Sequence, residues 1–518
     1  MLSYRKLAMR VLGRPLNTGG GNNSPRPASQ RAAALVLTAA MLTTFTAPAF
    51  AGTWYIEDGD ITISAGESGN NVTQNENTTK NDTDTIITNR EEGASSHTVT
   101  IDAKDKDDKV EVTLKDANID TSKQSKAAVS VTGSGDTTIE LDGDNELQGG
   151  DRHAGLEHNQ TVDSEGNVTS GKLTIQDDND NAGSLTATGG YFGAGIGGGS
   201  AKAGQVTITG GTITAISGDG AGIGGGQGNM GSNAGNADIE ISGGTIEATG
   251  GYTSAGIGGG YYGDATIKIT GDAVIKNATG GTFGAGIGGG GGGNGDVTIS
   301  GNAKIENAQG GYAGSGIGGG YGASGTVTIK DDSTVTATGG EAGAGIGGGV
   351  GGLADVTIEG NATVNAIGGV GSAGIGGGYD AENDEDDGNG NQISIKSNES
   401  GAPTVNATGG ESSIDKKTGE KIPGGAGIGS GAGDAKANIT LEGKVTIVAK
   451  AGEGNAAIGD MNGEQVFTGL DGSITRYDSE GNDTTLPTDP GYPVPADTSS
   501  SGGGSAGASV QESVFPGL

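Results

Sequence analysis

The chain has 518 residues, among them 111 glycines, 11 prolines and no cysteine, and its formal net charge is −34. Collagen is excluded because it needs glycine at every third position and abundant proline, and a disulfide scaffold is excluded because cysteine is absent. Only 31% of the residues are hydrophobic, which argues against a thick core and on composition alone suits a disordered chain. The regular spacing of the glycines argues against disorder.

Residues 1–51 have the pattern of a secretory signal peptide. They contain six basic residues and no acidic one, then an apolar stretch after Arg31 and the small-x-small sequence Ala49-Phe50-Ala51 before Gly52. A membrane anchor is the alternative, but the apolar stretch is shorter than a ~20-residue span, and no later segment is long enough either. We therefore expect a secreted or cell-surface protein. Removing residues 1–51 leaves 23 basic and 63 acidic residues, a net charge of −40, which argues against nucleic acid as a partner.

A short glycine-rich string recurs through the middle of the chain. It reads Ala-Gly-Ile-Gly-Gly-Gly or Ser-Gly-Ile-Gly-Gly-Gly, and successive full copies are 27 to 34 residues apart. Self-similarity at this period indicates a solenoid, a propeller or an array. The isoleucine of each copy, including two degenerate ones at the end, is Ile196, Ile223, Ile257, Ile287, Ile317, Ile346, Ile375, Ile428 or Ile458.

Within one period the residues alternate as they do in β-strands. In residues 206–216 (VTITGGTITAI), apolar side chains alternate with threonine on both sides of a Gly-Gly break, and Ile223 lies in a third short run. Three short strands in each coil of about 30 residues predict an all-β fold, a parallel β-helix, in which glycine forms the corners and the isoleucines stack in one internal column. A propeller is the alternative, but its blades normally take ~40–50 residues.

The distribution of proline divides the chain. All eleven prolines lie at or before Pro48 or at or after Pro403. Because proline cannot donate to a strand ladder, the 354 residues between these two prolines indicate an uninterrupted stack. We expect an N-terminal cap and early coils over residues 52–150, glycine-rich coils over residues 151–460, and a flexible tail rich in Pro, Gly and Ser over residues 461–518.

The sequence favours a protein that is not an enzyme. A polysaccharide lyase on this fold would need a basic catalytic residue, but only three arginines remain after the signal peptide and none lies in the regular repeats. Arg152, His153, Glu157 and His158 cluster near the first repeat, where a metal or acid/base site and an ordinary polar loop are both open interpretations. Lyase activity stays an alternative.

One acidic loop is a candidate calcium site. Residues 380–391 (DAENDEDDGNGN) contain six carboxylates within eight residues, and Ca²⁺ takes six to eight oxygen ligands. An EF-hand is excluded because glycine is not at the sixth position, and a solvated acidic loop is the alternative. The candidate ligands are Asp380, Glu382, Asp384, Asp386 and Asp387.

Aromatic residues make up only 3% of the chain, yet several recur at fixed positions in the repeat. One set lies at or one residue beyond the position after the Gly-Gly that precedes the third strand, and another directly follows Gly-Gly-Gly. Because equivalent positions of stacked coils lie above one another, we expect two partial exposed columns that suit the faces of sugars, with shielding of the glycine corners as the alternative. The candidate carbohydrate-binding residues are Tyr191, Tyr252, Phe283 and Tyr312 in the first set and Tyr261, Tyr321 and Tyr379 in the second.

The repeat also carries a resemblance. The pattern Val-Thr-Ile-x-Gly-Gly-Thr-Ile-x-Ala-x-Gly-Gly-x-x-x-Ala-Gly-Ile-Gly-Gly-Gly, over about residues 95–460, resembles repeats in secreted glycine-rich surface proteins of gut Clostridia and related Firmicutes. These are similar to the calcium-containing, right-handed parallel β-helix carbohydrate-binding domain of a cellulolytic clostridium. The resemblance implies a right-handed solenoid, calcium, and plant cell-wall polysaccharides such as polygalacturonate as ligands, but it carries over no binding residue.

The leading hypothesis is therefore a secreted or cell-surface polysaccharide-binding or adhesive β-helix, assisted by calcium. We expect a polysaccharide partner, for which the resemblance suggests an acidic plant cell-wall glycan, in a protein that is monomeric or surface-associated, with no nucleic acid and no membrane insertion. A structural surface spacer that binds nothing is the second hypothesis, and a polysaccharide lyase is the third.

Overall fold

A computed structural model describes residues 50–179, 181–228, 235–383, 390–414, 416, 419–433 and 435–493. Within them the chain forms 41 strands, numbered β1 to β41 in chain order, one 3-10 turn at Ile56–Asp58, and no α-helix. Strands of successive coils pair in parallel to form a β-solenoid of about 14 turns. The predicted all-β parallel β-helix, with about 30 residues and three short strands per coil, is confirmed. No helix in the described ranges has the length and hydrophobicity that a membrane span requires.

Face 1 of the solenoid contains the Ile-Gly pair of each repeat. Its strands are β2 (Ile61–Ala65), β5 (Val99–Ala103), β8 (Val129–Gly133), β10 (Leu156–His158), β13 (Ile196–Gly197), β16 (Ile223–Gly224), β19 (Ile257–Gly258), β22 (Ile287–Gly288), β25 (Ile317–Gly318), β28 (Ile346–Gly347), β31 (Ile375–Gly376), β36 (Ile428–Gly429) and β39 (Ile458–Asp460).

Face 2 follows face 1 in each coil and contains the Val-Thr-Ile run. Its strands are β4 (Asn77–Thr88), β6 (Lys109–Lys115), the first half of β9 (Asp136–Gln148), β11 (Leu173–Gln176), β14 (Gly204–Ile208), β17 (Ala237–Ile241), β20 (Ala265–Ile269), β23 (Gly295–Ile299), β26 (Gly325–Ile329), β29 (Ala354–Glu359), β32 (Asn391–Lys396) and β37 (Ala437–Glu442).

Face 3 completes the coil after the Gly-Gly break. Its strands are β7 (Asn118–Asp120), the second half of β9, β12 (Gly183–Thr188), β15 (Thr212–Ile216), β18 (Thr245–Thr249), β21 (Val274–Thr279), β24 (Lys304–Gln309), β27 (Thr334–Thr338), β30 (Thr363–Ile367), β33 (Thr404–Thr408), β38 (Lys444–Lys450) and β41 (Asp471–Tyr477). Strands β21 and β24 each contain one extra residue, so that the register shifts where they pair with the regular strands β18 and β27.

The core is a set of stacked columns of small and branched side chains. Ile223, Ile257 and Ile287 pair in register on face 1, and each is fully buried. The valines and isoleucines of faces 2 and 3 form matching columns, because alternate residues of a strand point to the same side. Burial of one such side chain contributes about 1.5–3 kcal/mol, so a thin core repeated coil after coil can hold the stack together.

The outward positions of face 1 change character along the chain. In the early coils the residues that follow the first inward side chain are Thr100, Ser130 and Glu157, which lie in register. From β13 onward the equivalent position is glycine, beginning with Gly197. At Gly258 φ is +138°, and a Cβ would overlap the carbonyl oxygen of the glycine in the next coil, so only glycine fits there.

The N-terminal end is closed by antiparallel strands. β2 pairs with β3 (Asn70–Gln74), β3 pairs with β4, and β1 (Phe50–Tyr55) also pairs with β4. The indole nitrogen of Trp54 donates to the buried carboxylate of Asp82 at 2.7 Å. These strands cover the edges that the first coil would otherwise expose.

At the C-terminal end the solenoid continues past the boundary predicted at residue 461. Strand β41 pairs in parallel with β38, and β40 (Gly463–Glu464) pairs with β39, so a flexible tail that starts at residue 461 is wrong. The side chain of Arg476 is fully buried, and its guanidinium donates to Asp489 at 2.7 and 3.0 Å and to Glu464. A small hairpin of β34 (Ser413–Ile414) and β35 (Lys421–Ile422) projects from a late coil.

Candidate ligand-binding surface

Two turns flank face 1 in every glycine-rich coil. We call the turn before the Ile-Gly strand the leading turn and the turn after it the trailing turn. Leading turns stack through backbone bonds: Ala313 N donates to Thr282 O, and Ala342 N donates to Tyr312 O, both at 2.9 Å. Leading and trailing turns also bond to each other across face 1, as in the bond from Tyr321 N to Phe283 O at 2.8 Å. These bonds fix the height of every turn along the solenoid axis.

Three exposed tyrosines occupy the same position of the leading turn. Tyr191, Tyr252 and Tyr312 each follow the Gly-Gly pair, and their side chains are 62%, 59% and 55% exposed. In the coils between them this position holds Thr282 and, in a leading turn that is one residue shorter, Gly218 followed by the buried Asp219. We call the three the tyrosine column. Large exposed rings in a chain with few aromatics are typical of a binding surface.

Aromatic side chains of both turns meet beside this column. The ring of Phe283 contacts the rings of Tyr252 and Tyr321 with centroid distances of 5.4 and 5.5 Å and interplanar angles of 87° and 63°. Phe283 reaches Tyr321, which belongs to the next coil, because Gly291 in the coil of Phe283 has no side chain at the position equivalent to Tyr321, and a Cβ there would lie 2.8 Å from the Cβ of Phe283. The two predicted columns are therefore joined at Phe283.

The remaining candidate aromatics are less accessible. Tyr261 is half-buried, and its hydroxyl donates to the hydroxyl of Tyr262 at 3.1 Å. Tyr379 is also half-buried and packs beside Gly371. Two further aromatics at this surface, Phe192 and Tyr262, are not among the predicted residues. Phe192 occupies the same position after Gly-Gly as Phe283, so the sequence pattern includes it, whereas Tyr262 lies one residue beyond the position after Gly-Gly-Gly. Phe192 packs against Tyr191 edge-on, with centroids 4.6 Å apart.

The candidate calcium ligands are only partly described. Asp380 and Glu382 are both exposed, and Asp380 has a φ of +59°. Asp384, Asp386 and Asp387 lie outside the described residues. In the ranges that the structure covers, no group of three or more His, Asp or Glu side chains is arranged to hold a metal ion. Calcium at this loop stays a prediction.

The polar cluster near the first repeat forms a pocket with a volume of about 520 Å³, lined in part by Arg152, His153 and Glu157. The buried carboxylate of Glu157 accepts from His153 Nδ1 at 2.8 Å, from Ala154 N at 3.2 Å and from Asn159 Nδ2 at 3.0 Å. The hydrogen bond that His153 makes to the carboxylate of Glu157 raises the pKa of His153. Glu157 thus ties the leading turn to the trailing turn by a side chain.

His158 does not join this pocket. Its side chain points into the core, is 2% exposed, and lies 2.7 Å from Gln205 O through Nδ1. Burial lowers the pKa of His158, so its neutral form is favoured. The sequence cluster is therefore split into three residues at the pocket and one histidine that belongs to the core.

A protein-family model described as Beta helix repeat matches five stretches of the chain, residues 181–200, 206–227, 239–261, 327–350 and 356–379. The matched stretches leave out residues 262–326, which include the irregular strands β21 and β24. No curated protein and no solved structure matches the chain. The matched stretches and the observed solenoid agree that this part of the chain is built of β-helix repeats.

Proposed function

We propose that this protein binds polysaccharide outside the cell, through the exposed aromatic side chains of its leading turns. The observation that carries the proposal is the tyrosine column, three tyrosines more than half exposed at one repeated position of a rigid stack. Rings that combine a flat apolar face with a polar tip suit the apolar faces and hydroxyl edges of sugars. Export follows from the signal-peptide pattern of residues 1–51.

The way the column is built supports binding. The backbone bonds between successive leading turns hold each tyrosine at a defined height, and the edge-on contacts of Phe192 and Phe283 restrict the rings of Tyr191 and Tyr252. A preorganised side chain loses less conformational entropy when a ligand binds. In a spacer that binds nothing, these tyrosines would serve only to shield the glycine corners, which is the alternative that the binding experiment must separate.

Retention on insoluble polysaccharides tests the proposal. The chain from residue 52 onward is mixed with cellulose, mannan, xylan and pectin, and the bound fraction is measured with and without a calcium chelator. We expect retention on at least one polymer, and a loss of at least about tenfold in the triple variant Tyr191→Ala, Tyr252→Ala, Tyr312→Ala. Tyr492→Ala, which changes a 37%-exposed tyrosine of the C-terminal segment, is the matched control.

Each outcome has a defined meaning. No retention on any polymer contradicts the proposal and favours the spacer, and release of unsaturated sugars favours the lyase. Loss of retention in chelator would support calcium at the acidic loop of residues 380–391. Equal binding by the wild type and the triple variant would remove the tyrosine column from the mechanism.

A further inference from the structure

The tyrosine column has a regular spacing. Its three tyrosines lie five residues before the isoleucines of β13, β19 and β25, which belong to the first, third and fifth of five consecutive coils. Strands of adjacent coils lie ~4.8 Å apart, so the tyrosines recur about every 10 Å along the solenoid axis. The coils between them carry small residues at this position, which leaves the rings separated.

A groove continues from the C-terminal end of the column. It begins at Tyr312 and extends over the next three coils, with a volume of about 520 Å³, and the Gly-Gly pairs of these coils form much of its lining. Because these glycines have no side chains, the backbone forms its floor, while Glu341 and Glu411 also line it. Ile367, which is 48% exposed, lies on the wall that belongs to face 3. The groove therefore prolongs the surface of the column parallel to the axis.

We propose that the tyrosine column binds an extended, uncharged, β-1,4-linked polysaccharide that lies parallel to the axis, with every second sugar stacked on a tyrosine. In an extended β-1,4-linked chain each pyranose ring is turned over relative to the one before it, so the same ring face recurs at every second sugar. Two pyranose rings span a length close to that of two coils. This inference rests on the proposed function and adds the class of ligand and its direction.

The charges around the column favour an uncharged ligand. The coils that bracket the three tyrosines carry Asp151 and Glu341 at the same leading-turn position. Residues 52–518 also have a net charge of −40. An acidic polymer lying along the axis would meet a carboxylate at each end of the column, and like charges at close range are unfavourable. Polygalacturonate is therefore a poor ligand for the tyrosine column.

Length dependence is the first test. Calorimetric titration of the chain from residue 52 onward uses β-1,4-linked gluco-oligosaccharides of two to seven sugars, with α-1,4-linked gluco-oligosaccharides as the comparison. We expect the affinity to rise about fivefold when the ligand first spans two tyrosines, and about fivefold again when it spans three. The α-1,4-linked series should show no such steps, because those chains coil.

Two variants extend the column at different spacings. Val370→Tyr adds a ring two coils beyond Tyr312, which keeps the two-coil spacing of the column, whereas Glu341→Tyr adds a ring only one coil beyond it, which breaks that spacing. We expect Val370→Tyr to bind seven-sugar β-1,4-linked ligands about fivefold more tightly and Glu341→Tyr to show no gain. Equal gains, or equal affinity for α- and β-linked series, would overturn the spacing argument while leaving polysaccharide binding intact. No binding of any polysaccharide overturns both.

A second, independent observation concerns the buried carboxylate of Asp82. It is 1% exposed, and it accepts from Gly52 N at 2.8 Å, from the indole of Trp54 at 2.7 Å and from Asp84 N at 3.3 Å. These are neutral donors, and among the residues that the structure describes no Lys, Arg or His forms an ion pair with Asp82. A buried carboxylate without a positive partner is costly. Gly52 is the residue that directly follows the predicted signal-peptide cleavage site.

We infer that cleavage of the Ala51–Gly52 bond supplies the missing positive charge. Hydrolysis by a signal peptidase adds water across this peptide bond, which leaves a carboxylate on Ala51 and a new α-ammonium group on Gly52. The nitrogen of Gly52 already lies within hydrogen-bonding distance of Asp82, so the ammonium would pair with the carboxylate with little rearrangement. Export and closure of the N-terminal end are then coupled in one step.

Two chains that differ by one residue test this inference. One begins at Gly52 and the other at Ala51, and each is made with and without Asp82→Asn, so that the four melting temperatures form a double-mutant cycle. We expect the chain that begins at Gly52 to melt at the higher temperature, and this advantage to disappear in the Asp82→Asn pair. Equal melting of the two chains with Asp82 present, or an exported protein whose first residue is not Gly52, would overturn the inference.

Discussion

The early coils and the glycine-rich coils close face 1 in different ways. In the early coils, strands β5 and β8 have five residues each, and their paired outward residues Thr100 and Ser130 carry hydroxyl groups, followed by the carboxylate of Glu157. In the glycine-rich coils the face 1 strand has only two residues, and the leading and trailing turns bond to each other largely through backbone groups, with the bond from Gln227 Nε2 to Asp219 as a side-chain exception. The first region closes face 1 with side chains, and the second closes it chiefly with backbone groups that glycine allows to approach each other.

The difference explains what glycine contributes to this fold. Where Glu157 ties the two turns together, one carboxylate needs three donors to be satisfied. Where glycine occupies the equivalent position, neighbouring backbones approach closely enough to bond directly, and the same contact repeats in every coil without further partners. The regular height of the leading turns, on which the tyrosine column depends, follows from this backbone closure.

The largest expected effect on stability comes from adding one methyl group to face 1 of the glycine-rich coils. We expect Gly258→Ala to prevent folding of the adjacent coils or to destabilise them by more than about 4 kcal/mol, because φ is +138° there and the Cβ would overlap the oxygen of Gly288. Ser130→Ala at the equivalent early position should change stability by less than about 0.5 kcal/mol. Urea unfolding followed by circular dichroism measures both, and similar losses in the two variants would contradict the distinction.

A smaller effect concerns pH and the early coils alone. Burial lowers the pKa of His158 in the folded chain, so the unfolded chain takes up a proton at a higher pH than the folded chain does. The stability that neutral His158 contributes is complete above the ordinary histidine pKa of ~6.5 and is lost as the pH falls below it. We expect His158→Leu to flatten the stability profile between about pH 6.5 and 5 relative to the wild type. Identical slopes in thermal melts of the two proteins would show that His158 does not carry this dependence.

The smallest effect is local. Since the hydrogen bond with Glu157 is the main cause of the raised pKa of His153, we expect Glu157→Gln to lower that pKa toward the ordinary value. Glu146→Gln, on the exposed side of face 3 in an early coil, is the matched control and should leave the titration of His153 unchanged. Nuclear magnetic resonance titration of the imidazole resonances gives both values, and an unchanged His153 in the Glu157→Gln variant would contradict the assignment.

The repeat made most of this fold predictable. The isoleucine columns and the three strands of each coil follow from residues such as Ile223 and Val206, whose spacing has one simple explanation. The end of the solenoid was not predictable in the same way. Strand β41 places Arg476 in an inward position where the pattern expects an apolar residue, and only its pairing with Asp489 and Glu464 makes that burial tolerable.

The candidate surface was predictable in position but not in detail. The position after Gly-Gly predicts the tyrosine column because stacked coils place equivalent residues above one another. It could not show that Phe283 meets Tyr321, because that contact depends on how far the leading and trailing turns of different coils are offset along the axis. The separation of His158 from His153 likewise depends on the inward direction of His158 on β10, whereas His153 lies in the turn before that strand.

In-register stacking also has a consequence for how such a protein changes by recombination. Ile257, Ile287 and Ile317 are each 30 residues apart, so loss or duplication of one such unit would leave a continuous ladder. It would nevertheless bring Tyr312 an odd number of coils from Tyr252, whereas a change of two units would keep an even number. The fold tolerates the gain or loss of a single coil. The spacing of two coils between neighbouring tyrosines is kept in phase only when coils are gained or lost two at a time.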